Sequence, residues 1–304
     1  MALAAPGMRS AYTAAMQWTA ASSLDYFALL VAEDQRFPLL EAAASIGQDE
    51  YPELDLQNLL AEVDTLSVRL AARLPADAGM LHKVRLLHRF FFEELGFSGN
   101  LNDYYSADNS YLHRVLLTRQ GIPITLGVLY AEFAHRIGLD ASGVSFPGHF
   151  LVKLRLPQGD ALIDPMTGQS LSRESLEERL EPYLAQVLGI EGRPGLGMDL
   201  LPNFLASAPP REIVARMLRN LEAIHRQADD WPRLLAVQQR LVVLQPQDWD
   251  WRRDRGLTYA ELGQVREAID DLAAYLRHAG TVADRADISE KLAELRAGGV
   301  PRWH

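Results

Sequence analysis

Between Ser22 and Leu95 the apolar residues return every three or four positions, as in the series Leu56, Leu59, Leu60, Val63, Leu66, Val68 and Leu70. That period lines one face of an α-helix, so the stretch predicts amphipathic helices, punctuated at Pro38, Pro52 and Pro75. Met80 to Leu95, with Val84, Leu87, Phe90 and Phe91 on one side, predicts a further helix stopped at Gly96. The pattern then breaks. GFSGNLNDYYSADNSYL is crowded with turn formers, and predicts a long polar loop of the kind that often carries function.

Helical spacing resumes over Tyr111–Leu117 and again from Pro123 to Ile137, where Leu126, Leu129, Tyr130, Phe133 and Ile137 form one stripe. Pro123 suits a first helical turn, whose N–H groups have no partner inside the helix, and Gly138 suits its end. Beyond Gly138 the period changes to two. Phe150, Val152 and Leu154 alternate with Leu151, Lys153 and Arg155, and PQGD turns the chain back into ALID, which predicts an antiparallel hairpin. Helices followed by a small antiparallel sheet make the fold class α+β.

LPNFLASAPPR marks a boundary, after which the pattern is helical to about Arg296. Two stretches overlay there at an offset of 34 residues, IHRQADDWPRLL from Ile224 and TYAELGQVREAI from Thr258. The second places Tyr259, Leu262, Gly263, Ala268 and Tyr275 where a tetratricopeptide repeat alternates large and small residues, and the period itself fits that repeat. The first is degenerate, with His225, Asp229 and Leu234 at the positions of Tyr259, Gly263 and Ala268. Two copies are fewer than such arrays need to stand alone, so the segment is expected to dock on the preceding domain. The organisation expected is an N-terminal helical arm over 1–45, an α+β domain over 46–207 and a repeat segment over 211–304.

The 304 residues and their 48% hydrophobic content suffice for a buried core in both domains. Cysteine is absent, which excludes disulfides and cysteine-rich zinc sites and fits a reducing cytoplasm. The alanine-rich start is interrupted by Pro6, Gly7, Arg9, Thr13 and Gln17, so neither a signal peptide nor a membrane anchor is expected there. Net charge is −10, with all of the acidic excess before residue 211 and no basic stripe, which argues against nucleic acid and anionic membranes as partners. His82, His88, His113, His135 and His149 lie in separate segments without ligand spacing, and no metal or other cofactor is expected.

One constellation suggests chemistry. Thr125 lies in the first turn of its helix, His149 follows a Pro-Gly turn at the head of one strand, and Asp164 ends the paired strand. Strands lie ~4.8 Å apart, so the hairpin can set the carboxylate beside the imidazole and leave the other ring nitrogen for residue 125. Each residue also has a structural reading. Thr125 can bond its own first-turn backbone, His149 can be a satisfied loop histidine, and Asp164 before Pro165 can initiate a turn. Tyr104, Tyr105 and Tyr111 in the polar loop, with Pro123, are candidates for lining a cleft mouth.

Gly121 to Pro165 resembles the transglutaminase-like core, in which a cysteine opens the helix, a histidine begins one strand and an aspartate followed by proline ends the next. More narrowly, FSGNLNDYYSADNSYLHRVLLTRQGIPITLGVLYAEFAHRIGL and SFPGHFLVKL resemble the bacterial SirB-type family, which joins such a domain to a tetratricopeptide segment. The resemblance spans about Tyr51 to Arg296. It implies a papain/transglutaminase-like fold with His149 and Asp164 at the histidine and aspartate positions. It also exposes a departure, because the cysteine slot falls between Pro123 and Thr125 and none of the three residues there is a thiol. The function expected is therefore a non-catalytic, polypeptide-binding or regulatory module, a pseudoenzyme whose partner is a protein or peptide. The alternative is a cysteine-free hydrolase or acyl transferase acting through Thr125, His149 and Asp164.

Overall fold

The computed structural model describes residues 22–188, 196–278 and 283–298, so the alanine-rich start considered above lies outside the described residues. Two short helices, α1 (Ser23–Leu30) and α2 (Leu39–Ser45), precede α3 (Leu56–Ala71), whose first turn is held by the Asp55 carboxylate accepting from the Gln57 and Asn58 N–H groups. α4 (Met80–His88) continues into a π-helical stretch, Arg89–Glu94, so the single helix expected over Met80–Leu95 has two geometries. The wider turn sets Phe90 and Phe91 side by side in the core, with Phe91 stacked on Phe97.

The polar loop is pinned at both ends. Its first residues form β1 (Ser98–Gly99), which pairs in parallel with β2 (Gln120–Gly121), and α5 (Leu112–Thr118) lies between them. α6 (Pro123–Arg136) follows and is buried along most of its length. A four-stranded antiparallel sheet comes next: β3 (Asp140–Val144), β4 (Leu151–Leu156), β5 (Gly159–Ile163) and β6 (Ser170–Leu171), in that spatial order. The expected hairpin is β4–β5, with Val152 opposite Ile163.

This sheet is covered on both faces. Phe150, Val152, Leu154 and Ile163 belong to the core that also holds α6, while Val144, Phe146, Leu151 and Leu162 pack with Leu176, Leu180 and Leu184 of α7 (Arg173–Leu188) and Leu201 of α8 (Leu196–Phe204). Two-sided burial explains the near-continuous apolar run in β4. Lys153 interrupts it, and its Nζ donates to the Leu205 carbonyl at 2.9 Å. The open edge of β3 is partly closed by the following linker, where the Ala208 N–H donates to Gly143 O at 2.8 Å.

Among the described residues five helices follow: α9 (Pro210–Gln227), α10 (Trp231–Leu244), α11 (Trp249–Glu261), α12 (Val265–His278) and α13 (Arg285–Gly298). The 34-residue offset is visible in the backbone. The Asp230 N–H donates to His225 O and the Gln264 N–H to Tyr259 O, both at 2.9 Å, and each turn is made by a residue of positive φ, Asp229 at 51° and Gly263 at 71°. α9 and α10 share one continuous core with the α+β part through Ile213, Met217, Leu218, Val237 and Leu241. Charged contacts fasten the same junction. Arg240, 0% exposed, donates from Nη2 to Asp49 at 2.8 Å and lies over the Phe27 ring, and Arg233 reaches Glu50. Among the described residues no helix is long and apolar enough to cross a membrane.

Candidate functional site

The turn between β3 and β4 places His149. The Phe146 carbonyl accepts the His149 N–H at 3.0 Å, and Gly148 supplies the left-handed φ of 65° that the turn needs. Asp164, one residue beyond β5, is brought alongside by the hairpin register. His149 Nε2 lies 3.0 Å from Asp164 Oδ1. That is within hydrogen-bond reach, but the ring N–H is not aimed along the line, so the contact is a close approach rather than an aligned hydrogen bond. Nδ1 is left as the ring nitrogen available to a ligand.

Asp164 is 3% exposed and well supplied with donors. Oδ1 accepts from the Met166 N–H at 3.0 Å, and Oδ2 from Arg179 Nη1 at 3.2 Å. Burial alone would raise its pKa, but His149, the Met166 N–H and Arg179 outweigh it, and the carboxyl is held below its usual range. Its backbone carbonyl also closes a turn, accepting from Gly168 N at 2.7 Å. Asp164 therefore both closes a turn and lies beside His149. Arg179 comes from α7, outside every motif seen in the sequence.

Thr125 behaves differently. It is 0% exposed, and its hydroxyl donates to Asn109 O at 2.8 Å, lies 3.0 Å from Ile122 O and accepts from the Ile122 N–H at 3.2 Å. The last bond is the backward half of a capping box, made by the third residue of the helix. A Cβ built on Gly121 would meet Thr125 Oγ1 at 2.8 Å, whereas one built on Gly127 would meet the Phe150 ring at 2.7 Å. Gly127 thus marks the side of α6 that lies against β4. Residues three and four back share that side, and these are Ile124 and Pro123; Thr125, two back, is turned about 200° around the helix.

Asn109 ties the polar loop together, its Nδ2 donating to Asp103 O and Tyr104 O while its Oδ1 accepts from Asn100 Nδ2 at 3.0 Å. Tyr104 and Tyr105 project from this loop, 38% and 79% exposed, with their rings edge to face. Burial raises the Tyr104 pKa, and the nearby positive charge of Arg216 on α9 offsets this only in part. Arg216 Nη1 in turn donates to Phe146 O at 3.3 Å, the carbonyl that accepts the His149 N–H. Tyr111 is placed elsewhere. It is buried edge to face against Tyr51 and lines a separate cavity of about 170 Å³ with His225, Glu50 and Arg233. Among the described residues no three His, Asp or Glu side chains converge as a metal site.

Comparison with known proteins agrees with the fold. A model of the transglutaminase-like superfamily matches residues 57–219, and one of the tetratricopeptide repeat matches residues 221–293. The UPF0162 protein of Xylella fastidiosa (strain Temecula1) is 37% identical over 250 residues, covering 82% of this chain and 86% of its own. The UPF0162 protein of Pseudomonas aeruginosa is 30% identical over 84% of this chain and 90% of its own, and UPF0162 protein YchA of Escherichia coli K12 is 27% identical over 80% and 87%. No solved structure matches.

Proposed function

For a chain that belongs to the transglutaminase-like superfamily and to the UPF0162 family, we propose a binding or regulatory role in which the cleft beside His149 holds a polypeptide and performs no acyl transfer. The observation that carries this reading is the composition of α6 where it meets the sheet. Acyl transfer needs a nucleophile within hydrogen-bond reach of the base. The face of α6 toward β4 offers Pro123, Ile124 and Gly127, none of which has a nucleophilic atom, while the Thr125 hydroxyl is occupied by backbone groups on another side. We read Thr125 as a capping residue, and the His149–Asp164 pair as a polar floor kept without its attacking group. Tetratricopeptide arrays present surfaces to other proteins, which fits a polypeptide partner.

The test is turnover. Purified protein is incubated with fluorogenic esters and amides, and with casein plus a labelled amine, beside His149→Ala and Thr125→Val. The reading expects rates equal to buffer for all three proteins. Turnover by the parent chain that disappears in both variants would overturn it in favour of a threonine-dependent hydrolase or acyl transferase.

A further inference from the structure

Arg216 stands apart from its neighbours. Arg211 is paired with Asp34, Arg226 with Glu222, Arg233 with Glu50, Arg240 with Asp49, Arg253 with Asp284 and Arg255 with Asp271. Arg216 is partly buried, yet among the described residues no carboxylate lies within ion-pair distance of it. Its polar contact is the Phe146 carbonyl at 3.3 Å, and its guanidinium carbon lies 5.9 Å from the Phe150 ring centroid. A carbonyl and a ring face leave most of the five N–H donors unused. Burial, and Arg219 one turn along α9, push its pKa down, as expected where a cation lacks a counter-charge.

Arg216 lines an open groove of about 570 Å³ together with Arg219, Ser145, Asn203, Ser207 and Asn220. The one carboxylate in the lining, Glu212, is already engaged by Gln245 at 3.1 Å and Arg219 at 3.7 Å. The groove therefore carries a surplus cation among hydroxyl and amide groups, in a chain whose net charge is −10. Its volume suits one or two side chains. Two arginines are too few for a nucleic-acid backbone, which needs a track of cations, but a planar guanidinium matches a carboxylate with two parallel hydrogen bonds.

We propose that this groove binds the carboxylates of an acidic peptide segment, with Arg216 as the half-buried anchor and Arg219 at the rim. The proposal rests on the polypeptide-binding reading and names the chemistry of the ligand. Phe146 O joins the two features, because it accepts from both Arg216 and the His149 backbone, so a peptide anchored here continues along the turn that carries His149.

The experiment measures binding by fluorescence anisotropy with a dye-labelled peptide built from Glu, Tyr and Gly, and with its counterpart bearing Gln at every Glu. The proposal expects the Glu peptide to bind the parent chain about tenfold more tightly, with the advantage lost in Arg216→Gln and reduced in Arg219→Gln. Arg219 is exposed, so its variant keeps the test informative if Arg216→Gln fails to fold. Equal binding of both peptides would overturn the acidic-ligand inference and leave polypeptide binding standing, whereas binding of neither would overturn both. Displacement by inorganic phosphate beyond that by chloride at matched ionic strength would reassign the groove to a free anion and also overturn the inference.

Discussion

The candidate site has two halves, a hairpin and a helix start, that the sequence pattern treats alike and the structure treats differently. The hairpin half is polar: His149 faces a carboxylate held by a backbone N–H and by Arg179, and its side chain remains partly open to solvent. The helix half is closed. Pro123, Ile124 and Thr125 are all buried, and the single hydroxyl among them bonds only backbone groups. A small polar residue in a first helical turn can cap the turn or face a substrate, and here the Thr125 hydroxyl caps the turn through Ile122 and ties it to the polar loop through Asn109 O. The contrast teaches that a histidine and a carboxylate brought together by a hairpin do not by themselves supply a nucleophile.

Removing the carboxylate breaks the hairpin half most severely. Asp164→Ala should cost about 2–3 kcal/mol, chiefly because the Met166 N–H loses a charged acceptor, while Arg179, 39% exposed, can turn to solvent. Urea unfolding followed by circular dichroism measures it, and a cost below about 1 kcal/mol would mean that the carboxylate is not the support described here. The same group sets a pH dependence. Its folded pKa is held below the unfolded value of ~3.9, so its stabilisation is complete above that pH and lost as pH falls through the folded value. The unfolding midpoint of the parent chain should therefore fall more steeply below about pH 4 than that of Asp164→Asn.

On the helix half the expected effect is smaller. Thr125→Val keeps the volume but leaves Asn109 O and the Ile122 N–H without their partner, at a cost of about 1–2 kcal/mol. Peptide binding at saturating folded protein should be unchanged. A loss of binding without a loss of stability would place Thr125 in the cleft and erase the distinction between the halves.

Much of the framework was legible because it rests on periodicity. α6, the β4–β5 hairpin and the 34-residue repeat follow from spacing alone, and the equivalence of Asp229 with Gly263 is repeated in their left-handed backbone. β3 was not legible, because its sequence DASGV lacks apolar alternation. Gly143 is needed there since the Phe150 ring fills the space of a side chain, with a built Cβ only 2.3 Å from Phe150 Cζ. The two-residue β1 and β2 are too short for any period, and the π-helical Arg89–Glu94 keeps a helical composition. Among site residues, His149 and Asp164 could be found because one hairpin brings them together. Arg179 and Arg216 could not, since they arrive from α7 and α9 across long stretches of chain. Which side of α6 faces the sheet needed Gly127, whose close packing on Phe150 no local pattern announces.

The central claim is that the α6 position facing His149 is on the side of Pro123, not of Thr125. The absence of native cysteine allows a direct measurement, the thiolate absorbance of Pro123→Cys and of Thr125→Cys against pH, each with and without His149→Ala. The account predicts that the thiol at 123 ionises well below ~8.5, helped by the helix N-terminus and the imidazole, and moves back up when His149 is removed. The thiol at 125, enclosed by backbone carbonyls and apolar side chains, should ionise above ~8.5 and be indifferent to His149. A low, His149-dependent ionisation at 125 together with an unperturbed one at 123 would contradict the account.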